Sequence, residues 1–287
     1  MLKQRIITAV ILALLVLAAL FYCTPGQFAL LVAFAVVVAG WEWANMSGLS
    51  SRPLRYGYAL IVMMAIAWCA RYTGALGGEL TDLVINTGLL DKERVREILI
   101  VACVWWAMAL LWVQTYPLSA VIWGHRWLRA LMGLLVLVPT WLGLVMLHNE
   151  PHGPLLILFV VVIVAAADIG AYFTGKAFGK RKLAPAVSPA KTWEGFWGGI
   201  TCTLILAFAV GSYVGQAAVL VAIVIPTALA SVLGDLLESM VKRHRGIKDS
   251  SRLLPGHGGV MDRIDSLTAA APVFAMAVLA ADWQVSI

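Results

Sequence analysis

The chain has 287 residues, 62% of them hydrophobic and 13% charged, where an ordinary soluble domain carries about 25% charged residues. That is too little polar surface to cover a water-soluble monomer. The formal net charge of +6 falls in segments between apolar runs, and no nucleic-acid partner is expected. Cys23, Cys69, Cys103 and Cys202 each lie in or beside an apolar run and form no CxxC or Cys/His cluster. They read as small buried hydrophobes, not as a disulfide or metal framework.

The N-terminus, MLKQRIITAVILALLVLAALFYC, has the basic start and apolar run of a signal peptide. Leu20, Phe21 and Tyr22 are too bulky for a cleavage site, so it reads as an uncleaved first span. A helical span needs about 20 apolar residues. Nine runs qualify, near 6–22, 27–45, 57–73, 98–116, 129–147, 154–175, 195–213, 217–238 and 264–284. The expectation is an all-α, polytopic helical bundle of about nine membrane spans; the runs are too long and lack the alternation of a membrane barrel. Spans one to five (1–150) are set apart from a catalytic membrane region formed by spans six to nine (151–287).

With the N-terminus cytoplasmic, seventeen of the twenty-one lysines and arginines fall on the cytoplasmic side, leaving only Arg71, Lys92, Arg94 and Arg96 outside. The positive-inside rule therefore places the C-terminus outside. In the outer segment 74–97, DKERVREIL is expected to form a short amphipathic helix of its own. Pro139, Pro226 and Pro272 fall mid-span and should kink their helices.

Three polar groups gather towards the cytoplasmic side of the last four spans. In GDLLESMVKR, at the end of the eighth, Asp235 and Glu238 share a helix face; a helix-end acid pairing with Lys242 or Arg243 is the plainer alternative. In KDSSRLLPGHGGVMDRIDS, Lys248 and Asp249 precede a glycine turn whose Gly258 and Gly259 amides, with His257, can form an anion nest. Asp262 and Asp265 follow in the first turn of the ninth span, where dipole complementation explains one acid better than two. Asp235 and Asp262 then make a divalent-metal clamp, with Glu238, Asp249 and Asp265 near by. Oxygen-only ligands favour Mg²⁺ over Zn²⁺. Lys242, Arg243, Arg245, Lys248, Arg252 and Arg263 surround them, a pattern that suits a polyphosphate.

The third group is DIGAYFTGKAFGKRKLAPAVSPAKTWEGFWGG, residues 168–199. Asp168 lies inside the sixth span with Tyr172 on the same face, and an intramembrane acid is a functional candidate by default. Thr192 is an expected helix N-cap, with Ser188, Lys191 and Glu194 around it. The basic stretch does not match a P-loop; an ordinary positive-inside loop anchored by Trp193 and Trp197 explains it equally well.

The stretch SMVKRHRGIKDSSRLLPGHGGVMDRIDS resembles the signature of the phosphatidate cytidylyltransferases, or CDP-diglyceride synthases. The positions that carry the likeness are Ser239, Lys242, Arg243, Lys248, Asp249, Ser251, Leu254, Pro255, His257, Gly258, Gly259, Asp262, Arg263 and Asp265. SPAKTWEG and GDLLES are also similar, so the likeness covers roughly residues 165–270. The resemblance implies conversion of CTP and phosphatidic acid to CDP-diacylglycerol and pyrophosphate in a bacterial inner membrane. It further implies Mg²⁺ held by Asp235 and Asp262, a second, monovalent cation such as K⁺, and a membrane-embedded homodimer. Lys242, Arg243, Lys248 and Arg263 would meet pyrophosphate or lipid phosphate, and Ser188 and Lys191 would contact nucleotide or lipid phosphate. A secondary transporter, a CTP-dependent lipid kinase, a CDP-alcohol phosphotransferase and a non-enzymatic scaffold are the competing classes.

Overall fold

A computed structural model describes residues 2–77, 84–85, 90–281 and 283. The chain runs α1 (Leu2–Tyr22), α2 (Pro25–Met46), α3 (Arg52–Tyr72), β1 (Leu76–Gly77), β2 (Val84–Ile85), α4 (Lys92–Gln114), α5 (Ala120–Trp123), α6 (Arg126–Asn149), α7 (Gly153–Phe178), β3 (Lys182–Ala184), β4 (Ser188–Thr192), α8 (Trp193–Val214), α9 (Ala217–Arg245) and α10 (Met261–Ala281). Eight of these helices, α2 to α4 and α6 to α10, are long and apolar enough to cross a bilayer. The described apolar part of α1, Ile7–Tyr22, is shorter. The all-α reading therefore holds.

Local chemistry sets the helix ends. Thr24 and Gln27 form a capping box ahead of α2, with Pro25 in its first turn. Asp91 caps α4 by accepting from the amides of Glu93 and Arg94. That cap corrects the expected separate amphipathic helix, because KERVREIL is the opening of α4 itself. A second correction concerns α9, which continues to Arg245 and closes on left-handed Gly246. Lysine and arginine are good helix formers and complement the C-terminal dipole, so VKRHR prolongs the helix. Asp235 thus sits inside α9, about 15 Å of helix before its end.

The bundle has one contiguous apolar core drawn from both halves of the chain. α10 lies at its centre and packs on α9, α6 and α4. Pro272 lies inside α10 and, lacking an N–H, leaves the Thr268 carbonyl without its helical donor. The Thr140 hydroxyl on α6 lies 2.9 Å from that carbonyl and 2.7 Å from Val136 O, so its single proton serves the freed acceptor from a neighbouring helix. Gly143 makes the crossing close: a Cβ there would stand 3.1 Å from Pro272.

Buried side chains tie α2 and α3 to α6. Trp43 Nε1 donates to Arg129 O, Tyr58 Oη to Ala130 O, and Trp141 Nε1 to Ala29 O. At one end of the bundle, the C-terminal ends of α2, α7 and α9 meet the N-terminal ends of α6, α8 and α10. Arg245 Nε donates to Asn45 O, Arg129 Nη1 to Met46 O, and Arg243 Nε to Val187 O. At the other end Lys92 pairs with Glu150 at 2.7 Å.

Candidate active site

The site is assembled at the first of these ends. No strand was expected there, yet residues 182–192 form an antiparallel hairpin between α7 and α8, pairing Lys182 with Thr192 and Ala184 with Ser188. Two contacts anchor it. Thr192 caps α8 by accepting from Gly195 N at 3.1 Å, as its place in the sequence implies. Glu194 accepts from the amides of Lys180 and Arg181 and from Arg181 Nε, so its carboxylate is spent on holding the hairpin's entrance. The hairpin delivers Lys191 to α9, where its Nζ lies 2.6 Å from Asp235 Oδ2. Ser239 donates to the other oxygen of Asp235 at 3.2 Å. The helix-end alternative for Asp235 is thereby replaced, since neither Lys242 nor Arg243 is its partner.

Lys242 instead joins α9 to α10. Its Nζ donates to Asp262 Oδ1 at 2.8 Å and stands 3.0 Å from Glu238 Oε1. Among the described residues Glu238 Oε1 has only the Lys242 ammonium and Oε2 has no donor. The Glu238 side chain is 1% exposed. The pairing with Lys242 offsets the cost of burying this carboxylate, and its free oxygen is suited to a bound cation.

Gly234 lets these helices touch: a Cβ there would collide with the backbone oxygen of Asp265 and lie 3.2 Å from Ala269 Cβ. Asp265 accordingly feels the charges of Asp235, Lys242 and Lys191, and Asp168 on α7 feels those of Lys191 and Asp235. Five carboxylates, Asp168, Asp235, Glu238, Asp262 and Asp265, therefore share a neighbourhood with two lysines. Asp168 lies inside α7, as its place in the sequence implies, with its side chain on the helix surface. Tyr172 is also exposed, and Lys176 Nζ stands 5.9 Å over its ring, so it points to the α7 surface.

The glycine loop departs from expectation in its use. Gly256 and Gly258 adopt φ of 74° and 83°, which only glycine takes readily, and the turn does form a nest. Its occupants are the chain's own carboxylates. Gly259 N donates to Asp262 Oδ2 at 2.8 Å, and Ser250 N and Oγ donate to the same carboxylate. His257 Nδ1 lies 3.4 Å from Pro255 O. Arg243, Lys248, Asp249, Arg252 and Arg263 are exposed around this rim, where a charged substrate can reach them.

One central residue escaped the sequence reading. Glu42, on α2, is fully buried. It accepts from Met261 N at 2.7 Å, Val260 N at 3.0 Å, Ser251 Oγ at 2.5 Å and Ser250 Oγ at 3.3 Å. The signal was present, because Glu42 in GWEWANM is a lone acid in an apolar run, the same kind of residue as Asp168.

Among the described residues no three His, Cys, Asp or Glu side chains form a ready metal cage. Mg²⁺ is usually held by one or two carboxylates plus substrate phosphates, so a cage is not required. The free Glu238 Oε2 and the all-oxygen donor set fit such an ion.

A polytopic helical bundle with carboxylates, lysines and a rim of arginines at one end defines a membrane-embedded enzyme for phosphate chemistry. The pattern of the cytidylyltransferase family matches residues 3–281, and the chain belongs to that family; it is a nucleotidyltransferase. It is 47% identical to the phosphatidate cytidylyltransferase of Pseudomonas aeruginosa, with 99% of each chain covered. It is 42% identical to the protein of that name from Haemophilus influenzae, over 96% of this chain and 97% of the other. An uncharacterised Escherichia coli protein, YnbB, is 38% identical over 55% of this chain and 53% of its own.

Proposed function

We propose that this chain transfers the cytidylyl group of CTP to phosphatidate, giving CDP-diacylglycerol and pyrophosphate. The observation that carries this reading is the 47% identity over 99% of both chains to a phosphatidate cytidylyltransferase; the site's chemistry agrees with it. A phosphate oxygen of the lipid attacks the α-phosphorus of CTP. The new Pα–O bond forms as the bond from Pα to the bridging oxygen breaks, and pyrophosphate leaves with the electron pair. The attacking phosphate is already an anion, so no side-chain nucleophile is needed, and the protein's work is positioning and charge neutralisation.

Lys191 and Lys242 stand at the carboxylate cluster as ammonium donors for phosphate oxygens, and Arg243, Lys248 and Arg263 supply charge at the rim. Asp235 and Asp262, with Glu238 beside them, are the residues that would hold Mg²⁺. When bound, the ion neutralises charge across neighbouring phosphate oxygens. The site end carries most of the basic residues and faces the cytoplasm of a bacterial inner membrane. The diacyl tails stay in the bilayer while the headgroup reaches the rim.

Purified protein in mixed micelles should release pyrophosphate from CTP only when phosphatidate is present, and should stop when EDTA removes divalent cations. Release of CDP instead would identify a lipid kinase, and pyrophosphate release without phosphatidate would remove the lipid from the reaction.

A further inference from the structure

Glu42 belongs to α2, in the half of the chain without the family signature, yet it supports the loop that carries most of it. Its two oxygens take four donors. Oε1 accepts from Ser251 Oγ and Val260 N, and Oε2 from Met261 N and Ser250 Oγ. Val260 and Met261 are where the loop turns into α10, so Glu42 satisfies amides that the helix itself leaves open, and its charge faces the positive end of the helix dipole. Ser250 is fully buried and its Oγ lies between two carboxylates, 2.9 Å from Asp262 Oδ2 and 3.3 Å from Glu42 Oε2, so that the two share its one proton. Gly259 passes between the same groups. A Cβ there would collide with Ser250 Oγ and Glu42 Oε1, while its amide holds Asp262. Asp262 is therefore held by Lys242 from α9 and by Ser250 and Gly259 from the loop; Ser250 reaches Glu42 directly and Gly259 through the next residue, Val260.

From this we propose that Glu42 is a positioning residue for the cytidylyl transfer: a buried anion on α2 that fixes the Ser250–Met261 loop and, through Ser250 and Gly259, the direction of the Asp262 carboxylate. The assignment rests on the reaction proposed above, but its structural half does not. Glu42→Gln keeps the shape and replaces one acceptor oxygen by an N–H₂ group that confronts N–H and O–H donors. The loop should loosen, and a shift of about 1 Å at the reacting groups lowers turnover by roughly a hundredfold.

The test compares wild type, Glu42→Gln and Ser251→Ala in detergent, by steady-state kinetics and by amide hydrogen exchange. The expected result for Glu42→Gln is faster exchange confined to residues 250–261, kcat down by roughly a hundredfold and KM for CTP within about threefold. Ser251→Ala, which removes one donor, should show the same signature more weakly. It carries the test alone if Glu42→Gln does not fold. Turnover within twofold of wild type, unchanged exchange at 250–261, or exchange raised throughout the bundle each overturns the proposal; the last marks Glu42 as a general stabiliser. Wild-type protein that makes no CDP-diacylglycerol refutes the reaction, while the exchange data still decide whether Glu42 holds the loop.

Discussion

Lys191 Nζ lies 2.6 Å from Asp235 Oδ2, so the second strand of the hairpin is pinned, one residue before its end, to an acid inside α9. The ion pair places a cation beside the carboxylate cluster and holds the β3–β4 hairpin against the mouth. Lys191→Met should lower turnover by about 10² to 10³-fold, the usual loss when one donor to developing charge is removed. Lys191→Arg should restore only part of it, since a planar fork does not replace a point charge. Steady-state rates at saturating CTP and phosphatidate check both variants, and near-normal turnover in Lys191→Met would remove the residue from the mechanism.

Asp262 is the meeting point of Lys242, Ser250 and Gly259. Asp262→Asn should abolish turnover while the helices still insert, because the change keeps the side chain's shape and touches only the loop, the start of α10 and Lys242 on α9. Breaking one partner of a buried charge pair costs about 3–5 kcal/mol, so a lower melting temperature is expected alongside a monodisperse profile in size-exclusion chromatography. Near-normal rates at saturating Mg²⁺ would exclude Asp262 from cation binding.

Gly234 sets the α9–α10 contact against the Asp265 backbone. Gly234→Ala must push the helices apart and separate Asp235 from Asp265. Because no charged group is lost, the expected outcome is strongly reduced turnover with CTP still bound, read by comparing kinetics with nucleotide binding in the same preparation.

Thr140→Val tests the α6–α10 contact away from the chemistry. The change keeps the volume and deletes the hydroxyl that serves Thr268 O. A loss of about 0.6 kcal/mol is expected from one interhelical hydrogen bond in a membrane bundle, seen as slightly earlier thermal unfolding in detergent. Activity well below the melting temperature should stay close to wild type.

What the sequence reveals of this molecule follows the range of the interactions. The spans are legible because a bilayer imposes a long apolar run, and Asp235, Lys242 and Asp262 are legible because their signature is local. Glu42 is not, since its role depends on Ser250, 208 residues away, and a single acid in an apolar run does not name its partner. The β3–β4 hairpin escapes because its strands are short, charged and bent around Pro185 and Pro189. The true end of α9 is hidden because VKRHR has the composition of a cytoplasmic loop although its residues favour helix. The glycine nest is legible as a nest, but its occupants, Asp262 and Glu42, become known only when α2 is brought beside the loop.

The central claim is that the carboxylates and lysines joining α9, α10 and the hairpin bring a nucleoside triphosphate to a lipid phosphate. The most direct measurement follows CTP labelled separately at the α- and γ-phosphorus, with and without phosphatidate. The account predicts that the α label enters the lipid fraction and the γ label appears in pyrophosphate, both only with phosphatidate. The γ label in lipid, or neither label moving, would contradict it.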